Sequence, residues 1–258
     1  GYLFIAQGWK SSIRKKLLLW GYRAILNSKK VWILFQNPDD QALFTKHKII
    51  YPEHAFKIKG SGVDLQQFAY SPIPKDRVKV ILVARMLWDK GVGEFVESAT
   101  VLTQQGIDVD FLLVGAVDPG NPESISAKQL EQWNKSGVVN WLGERADIAQ
   151  LLTESHIAVL PSYREGLPKS LIEAAAVGRA IVTTDVPGCR EVVKDGENGF
   201  LVPAKDAKKL AVAIQKLINN PKLLTSMGKK SRLMAEQEFS IQQIVEQTLK
   251  LYKTLKEL

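Results

Sequence analysis

The sequence predicts an α/β fold with a Rossmann-like, doubly wound parallel sheet and a partial second α/β unit at the N-terminus. From residue 78 onward, short β-rich apolar runs alternate with helical patterns, which is typical of parallel βαβ units. The 258 residues are 45% hydrophobic, enough to bury a substantial core. No apolar run approaches the roughly 20 residues that a membrane-spanning helix requires.

The predicted elements of the larger unit follow one another in regular alternation. Strands are predicted from short β-rich apolar runs at 78–84, 110–114, 138–142, 157–160 and 180–183. Helices are predicted from their helical patterns at 93–105, 125–135, 146–153, 168–177, 204–219 and 221–238. In the first helix the apolar face consists of Phe95, Val96, Ala99, Leu102 and Thr103. Asn198-Gly199 is predicted to form a tight turn.

The first 60 residues follow a different pattern. A helix at 12–27, a strand at 31–35 and a helix at 38–47 make only a fragment of an α/β unit. We therefore expect residues 1–57 to be the incomplete tail of another domain, and the chain, which opens without Met, to begin partway through a longer protein. Residues 58–75 are then a linker and residues 76–238 a ligand-binding domain. Residues 239–258 form a last helix that packs back on the N-terminal part.

Positive charge is concentrated at the front of the chain. The net charge is +8, and residues 1–60 hold 11 Lys and Arg against 3 Asp and Glu. This asymmetry indicates a local anionic partner, such as a membrane surface, and not nucleic acid. The predicted helix at 12–27 either lies on an anionic membrane or is an ordinary helix with its apolar residues in a core. The apolar residues of this segment are Ile13, Leu17, Leu18, Leu19, Trp20, Tyr22, Ile25 and Leu26. The basic residues interspersed with them or following them are Arg14, Lys15, Lys16, Arg23, Lys29 and Lys30.

Cysteine content bears on the compartment. The single cysteine, Cys189, excludes an intrachain disulfide and suits a reducing environment. We therefore expect the protein in the cytoplasm, or bound peripherally to the inner face of the membrane.

Two acidic residues bracket a predicted helix start after the strand at 157–160. The segment Glu165-Gly166-Leu167-Pro168 leads into the helix, and Glu173 lies within it. In α/β proteins, ligands bind beyond the carboxyl ends of the strands, and a helix N-terminus there offers N–H groups to phosphate. The segment is therefore a candidate site for a phosphorylated ligand that carries hydroxyl groups.

Two cations follow the first strand of the same predicted sheet. Arg85 and Lys90 could hold a diphosphate, the guanidinium through its planar fork and the ammonium as a point charge. Taken alone, an Arg and a Lys five residues apart are usually solvated surface charges. Their value as candidates depends on the motifs found elsewhere in the chain.

Three separated motifs together resemble a known family. They are Ala84-Arg85-Met86-Leu87-Trp88-Asp89-Lys90-Gly91, Glu165-Gly166-Leu167-Pro168 with Glu173, and Gly196-Glu197-Asn198-Gly199-Phe200-Leu201-Val202-Pro203. Their order and spacing resemble the nucleotide-sugar-binding half of glycosyltransferase family 4, a family of retaining enzymes with the GT-B fold. Gly60-Ser61-Gly62-Val63-Asp64 with Phe68 resembles the linker between the halves of such proteins. The resemblance covers residues 58–258, whereas residues 1–57 resemble only the tail of the acceptor-binding half.

The resemblance implies roles for individual residues. Arg85, Lys90 and Glu165 would be catalytic, because cations at the diphosphate stabilise the charge that develops on the leaving group. Glu173 would bind the ribose, Glu165 the hydroxyls of the transferred sugar, and the amides of Gly166 and Leu167 the diphosphate. The full donor-binding set would be Gly62, Arg85, Lys90, Gly115, Gly143, Arg145, Glu165, Gly166, Leu167, Pro168, Lys169 and Glu173. Neither a metal nor another cofactor is expected.

The resemblance also implies an activity. The expected enzyme is a retaining hexosyltransferase that moves a sugar from a nucleotide-sugar, UDP-sugar by preference, to a saccharide or lipid-linked saccharide in bacterial polysaccharide or glycan assembly. This chain alone should bind donor but turn over poorly. The alternatives are a nucleotide-sugar epimerase or hydrolase on the same fold, and a non-catalytic module that binds nucleotide-sugar or membranes.

Other motifs in the sequence fail on position or spacing. Asp108-Val109-Asp110 imitates a metal-binding Asp-x-Asp, but it precedes its strand and so belongs to the wrong edge of the sheet. No Gly-x-Gly-x-x-Gly follows a strand and no P-loop motif occurs, which argues against dinucleotide oxidoreductases and P-loop enzymes. His47, His54 and His156 have no metal-ligand spacing with one another or with Cys189.

Overall fold

The computed structural model describes residues 9–60 and 62–256, with side chains from residue 16 onward, as a small N-terminal unit and a larger α/β unit. The strands of the small unit are β1 (Ile33–Phe35) and β2 (Ala55–Lys57). Its helices are α1 (Trp9–Leu26), α2 (Pro38–Lys46) and a single 3₁₀ turn (Pro52–His54). The strand β2 is absent from the sequence prediction because its three residues are too few to show a period.

The larger unit contains six strands and the helices between them. The strands are β3 (Val78–Val83), β4 (Val109–Val114), β5 (Asn140–Trp141), β6 (Ile157–Leu160), β7 (Ala180–Thr184) and β8 (Gly199–Val202). The helices are α3 (Val92–Gln104), α4 (Ala127–Lys135), α5 (Ile148–Thr153), α6 (Lys169–Val177), α7 (Cys189–Val192), α8 (Ala207–Ile218) and α9 (Pro221–Glu238). A 3₁₀ turn (Trp88–Lys90) precedes α3, and α10 (Ile241–Lys256) follows α9.

The strand order is that of a doubly wound sheet, as predicted. All six strands are parallel and lie in the order β5-β4-β3-β6-β7-β8. The chain builds outward from β3 to β5, then returns to the centre and builds outward from β6 to β8. The order therefore reverses between β3 and β6, which pair through Val80↔Ile157 and Ile81↔Ala158. The carboxyl ends of strands at such a reversal form the crevice where α/β proteins bind ligands.

The sheet is buried on both faces. In β3, Val80 and Leu82 pack into one apolar cluster, with α3 and α8, whereas Ile81 between them packs into the other, with α5 and α6. Successive side chains of a strand point to opposite faces, so a two-sided core requires a continuous apolar run. This is why the central strands read as unbroken apolar segments in the sequence.

The tight turn predicted at Asn198-Gly199 forms over residues 196–198, directly before β8. Asn198 is fully buried, where its amide donates to the Val192 carbonyl at 2.9 Å and accepts from the Lys194 N–H at 2.8 Å. Gly199 opens β8, and a Cβ there would lie 2.0 Å from the Ile181 carbonyl oxygen. The glycine is needed for close approach to β7, so β8 begins as soon as the turn ends. Strand β5 is shorter than predicted, with two residues in place of five.

The linker runs between the two units and meets the last helix. The Val63 N–H donates to the Phe239 carbonyl at 2.8 Å, and the Ile241 N–H donates to the Val63 carbonyl at 3.0 Å. Beyond this first turn, α10 exposes Val245, Leu249 and Tyr252. The boundaries at residues 57, 75 and 238, and the packing of residues 239–258 on the N-terminal part, stay predictions.

One glycine sets the distance between the connections that follow β3 and β6. Gly91 lies directly after the 3₁₀ turn with φ +72°, and a Cβ on it would lie 2.1 Å from the Pro161 carbonyl oxygen. The Asp89 carbonyl accepts from the Tyr163 N–H at 2.9 Å and from the Ser162 hydroxyl at 3.1 Å. A side chain at residue 91 would force these two connections apart.

We expect Gly91→Ala to destabilise the fold more than Gly106→Ala. Both glycines flank α3 with nearly equal φ, +72° and +73°, but nothing lies within 4 Å of a Cβ at Gly106. The left-handed backbone costs alanine about 1 kcal/mol at either position, and overpacking against Pro161 adds about 1–3 kcal/mol at Gly91 alone. Urea unfolding of the two variants measures the difference. Equal losses would show that the close approach at Pro161 is relaxed at no cost.

Candidate functional site

The structure brings together two predicted residues from neighbouring connections. Lys90 ends the 3₁₀ turn after β3, and Glu165 lies in the loop between β6 and α6. The Lys90 Nζ and Glu165 Oε1 atoms are 2.6 Å apart, with 21% and 11% of the side chains exposed. The ion pair lies at the reversal of strand order, so a cation and an acid of the predicted site share the crevice.

The second predicted cation is paired with a residue that sequence reasoning missed. Arg85 Nη1 lies 2.6 Å from Asp118 Oδ2, with the Arg85 side chain 60% exposed and that of Asp118 30% exposed. Asp118 belongs to the loop that follows β4. A cavity of about 500 Å³ adjoins this loop, and its lining consists of Asp89, Asp118, Gly120, Asn121, Pro122 and Glu123. The guanidinium is therefore paired with a residue that lines an open, acid-lined space.

Glu173 lies on α6 and is only 9% exposed. Burial raises the pKa of this carboxyl, and the Lys169 ammonium, 3.6 Å away, partly opposes the shift. Lys169 itself is mostly exposed. Pro168 differs from its predicted place as the first helical residue: its ψ of 110° is extended, so it caps α6 from outside and the helix begins at Lys169.

The start of α6 presents open backbone donors. Pro168 caps the helix without a side-chain hydrogen bond. The N–H groups of Gly166 and Leu167 find no acceptor within the described ranges 9–60 and 62–256. Together with the positive end of the helix dipole, these donors favour an anion directly beside Lys90 and Glu165.

The two loops that carry the predicted donor-binding residues Gly115, Gly143 and Arg145 lie side by side. The Gly115 N–H donates to the Gly143 carbonyl at 2.8 Å, and the Trp141 indole donates to the Gly115 carbonyl at 3.1 Å. Arg145 forms a two-pronged ion pair with Asp147, at 2.8 and 2.5 Å. The hydrogen bond between them raises the pKa of Arg145 and lowers that of Asp147. The charge of Arg145 is therefore engaged within its own loop.

The linker contains two glycines. Gly62 is the one predicted to bind the donor, but Gly60 is the one that adjoins the site. A Cβ on Gly62 would lie 2.7 Å from the Ile241 Cα, so Gly62 is placed against the start of α10. A Cβ on Gly60 would lie 2.7 Å from a methyl carbon of Leu167, in the loop that carries Glu165. The role of Gly62 in donor binding stays a prediction.

A further contact that sequence reasoning missed ties the Glu165 loop to α3. The Tyr163 hydroxyl donates to Glu94 Oε1 at 2.6 Å, and burial together with this carboxylate raises the pKa of Tyr163. The Lys205 ammonium lies 4.7 Å from the centre of the Tyr163 ring. These residues are distant in the chain and form no local pattern, so no sequence signal could have identified them.

The opposite edge of the sheet has different chemistry. Arg77 pairs with Asp108 and Asp110, each at 2.8 Å. Both carboxylates of the Asp-x-Asp sequence are therefore bound to an arginine at the amino end of β4. A cavity of about 580 Å³ lies there, but ligands of parallel α/β sheets bind at the carboxyl ends.

No cluster of three or more His, Cys, Asp or Glu suited to a metal occurs in the described part of the chain. None of the described helices is both long and apolar enough to cross a membrane.

Known proteins with similar structures share this architecture. A sucrose-phosphate synthase from Thermosynechococcus elongatus is 25% identical and superposes with a TM-score of 0.83 over 100% of this chain and 66% of its own. Anabaena HepE, solved in complex with UDP-glucose, is 23% identical with a TM-score of 0.78 over 93% of this chain and 68% of its own. The second likeness is one of fold alone.

Sequence relatives place the chain more narrowly. It is 34% identical to the N,N'-diacetylbacillosaminyl-diphospho-undecaprenol alpha-1,3-N-acetylgalactosaminyltransferase of Campylobacter jejuni, over 98% of this chain and 68% of that protein. It is 30% identical to the capsular polysaccharide biosynthesis glycosyltransferase CapM of Staphylococcus aureus, over 81% of this chain and 59% of that protein. The chain thus spans only part of the length of these relatives. The model of the family described as glycosyl transferases group 1 matches residues 64–234, and the chain belongs to that family.

Proposed function

We propose that the larger unit binds the donor of a retaining glycosyltransferase of the family 4 type, and that the protein moves a sugar from a UDP-sugar to a saccharide or lipid-linked saccharide in bacterial glycan assembly. The observation that carries the proposal is the Lys90–Glu165 ion pair beside the open amides of Gly166 and Leu167. The relatives are named as transferases, which supports transfer over the epimerase, hydrolase and non-catalytic binding roles.

In the proposed reaction, the bond between the sugar C1 and the diphosphate oxygen breaks, and its electron pair stays on the departing UDP. The acceptor oxygen bonds to C1 on the same face, and its proton passes to the departing diphosphate oxygen. Charge on the diphosphate grows as the bond breaks, so Lys90, Arg85 and the α6 amides bind the transition state more strongly than the ground state. This route needs neither a metal nor another cofactor.

The ion pairs at the site support an exchange of anions on donor binding. Lys90 and Arg85 are held by carboxylates, and a diphosphate would replace Glu165 on the ammonium and Asp118 on the guanidinium. Glu165 would then be available to accept hydrogen bonds from hydroxyls of the sugar. Neither cation loses a counter-charge during the exchange, which lowers the electrostatic cost of keeping them in a crevice.

The proposed place of Glu173 is beneath the ribose. A carboxylate can accept hydrogen bonds from both ribose hydroxyls, whereas a buried carboxylate without a ligand is unfavourable. The pKa of Glu173 is raised because burial disfavours the charged form of its carboxyl. We infer that the site keeps an acid at this position for the donor and not for the stability of α6.

The proposed acceptor is consistent with the exposed face of α1. Leu17, Trp20 and Ile25 are 64%, 71% and 73% exposed, and the cations Lys16 and Arg23 are exposed on the same helix. Such a helix could lie on an anionic membrane, where a lipid-linked saccharide is found. The predicted side chains Ile13, Arg14 and Lys15 lie outside the described residues. We place the protein on the cytoplasmic face of the membrane, with no nucleic acid partner.

Titration calorimetry with UDP tests the donor site. We expect Arg85→Ala and Glu173→Ala each to weaken binding by about tenfold or more, because each removes a charged hydrogen-bonding partner of the nucleotide. Arg77→Ala is the matched control, since it removes an aspartate-paired arginine at the opposite edge of the sheet. Unchanged affinity in both site variants would refute the site.

Glu173→Gln should stabilise the protein increasingly as the pH rises. The pKa of Glu173 in the folded state is raised above 4.5, so the folded state binds the proton more tightly and wild-type stability falls as the pH rises above that value. Glutamine does not titrate, so the advantage of the variant should grow as the pH rises from below 4.5 towards neutrality. Urea unfolding across this range, with the exposed Glu131→Gln as control, measures it. A difference that is constant with pH would contradict the account.

A transfer assay tests the acceptor class. Incubation with radiolabelled UDP-N-acetylhexosamine should move label into the organic phase only when an undecaprenyl-diphosphate-linked saccharide is present, with slow turnover. Release of free sugar at the same rate without acceptor would contradict transfer and favour hydrolysis.

A further inference from the structure

We propose that the first turn of α2, which belongs to the N-terminal unit, sets the conformation of the donor-binding loop, and that Asn37 is a positioning residue for the Leu167 amide. We call Asn37, Asp39 and Asp40 the α2 clamp. The inference deepens the proposed function and rests on it, because the loop concerned is the one proposed to hold the diphosphate.

Asn37 links the two units through one fully buried side chain. Its Oδ1 accepts from the Asp40 N–H at 2.8 Å, which caps α2. Its Nδ2 donates to Asp40 Oδ2 at 2.9 Å and to the Gly166 carbonyl at 2.8 Å. Both N–H bonds of the amide are therefore used, one within the cap and one across 129 residues of sequence.

The segment that receives this bond is confined on two sides. A Cβ on Gly166 would lie 2.8 Å from Oε1 of Gln36, the exposed and flexible side chain that precedes Asn37, so the segment meets the α2 side there. A Cβ on Gly188, which precedes α7, would lie 2.6 Å from the carbonyl oxygens of both Glu165 and Gly166. The loop is thus held between α2 and α7.

Two ion pairs flank the Asn37 contact. Asp40 pairs with Arg164, and Asp39 Oδ2 lies 3.3 Å from Arg190 Nη1, which belongs to α7. The Asp39–Arg190 pair is more than 40% exposed on both sides and contributes little energy by itself. The Asp40–Arg164 pair is less exposed, at 28% and 21%, but the Asn37 amide is the fully buried contact of the clamp and the one that holds a backbone group of the loop.

Holding the Gly166 carbonyl fixes the direction of the next N–H group. The described part of the chain contains no cis peptide bond, so the Gly166–Leu167 peptide is trans. In a trans peptide the C=O and N–H bonds point in opposite directions. With the carbonyl bonded to Asn37, the Leu167 N–H points away from α2, and it has no acceptor among the described residues.

The fixed orientation of the Leu167 N–H matters for affinity, because a molecule binds the diphosphate fully only while its loop presents this donor. If the Gly166–Leu167 peptide can rotate freely, only part of the population presents the donor, and the apparent Kd rises by the inverse of that fraction. The clamp thereby makes donor affinity in the larger unit depend on a contact with the smaller one.

Asn37→Ser tests this and keeps the helix cap. Serine caps helices as well as asparagine does, but its hydroxyl is too short to replace the bond to Gly166. Asn220→Ser is the matched control, because Asn220 also caps a helix and also precedes a proline. Within the described residues, its side chain bonds the Leu223 N–H of its own helix, at 3.0 Å, and no other group. We expect Asn37→Ser to raise the Kd for UDP by about three- to tenfold, and Asn220→Ser to leave it unchanged.

A ligand-free readout separates the clamp from the proposed function. The NMR order parameter of the Leu167 N–H should fall from about 0.85 to about 0.6 in Asn37→Ser and in the isosteric Asn37→Asp, which also lacks the donor. Wild-type order parameters in both Asn37 variants would overturn the clamp, whether or not UDP binds. If the order parameter falls as expected while wild type does not bind UDP, the clamp stands and the proposed function fails.

Discussion

The ion pair between Lys90 and Glu165 is the interaction on which the candidate site depends. Its two members come from the connections after β3 and β6, adjacent strands of the larger sheet whose connections lead away from each other. The pair exists because Gly91 lets the backbone of one connection pass against Pro161 of the other. A cation and an acid thus meet where the topology opens a crevice, and the rest of the site is arranged around them.

This arrangement explains how a crevice can keep charges ready for an anionic substrate. An isolated ammonium in a partly buried site is costly, and a carboxylate partner offsets that cost until a diphosphate arrives. The same logic applies to Arg85 with Asp118, which is more exposed and so is weakly held. Glu173 is the opposite case, since its carboxyl is buried against a single, largely exposed lysine and its pKa is raised. Stability is given up there, which is typical of residues kept for a ligand.

The sequence was a good guide to the scaffold for a physical reason. A sheet buried on both faces needs continuous apolar strands, and these alternate visibly with amphipathic helices. The turn signal at Asn198-Gly199 was correct, but the pattern did not reveal that β8 starts at Gly199, because that start depends on a close approach to β7 and not on a period. Prediction also failed for contacts between distant segments. Asn37 is recognisable as a helix cap beside Pro38, but nothing local reveals that its amide also reaches Gly166.

In the proposed site, Lys90, Arg85 and the amides at the start of α6 together receive the diphosphate of a nucleotide-sugar. A crystal structure of the protein with a bound UDP-sugar tests it most directly. The account predicts diphosphate oxygens within hydrogen-bonding distance of Lys90 and of the Leu167 N–H, with Glu165 moved from the ammonium to the sugar. A nucleotide bound at the opposite edge of the sheet, or a Lys90–Glu165 pair left intact beside it, would contradict the account.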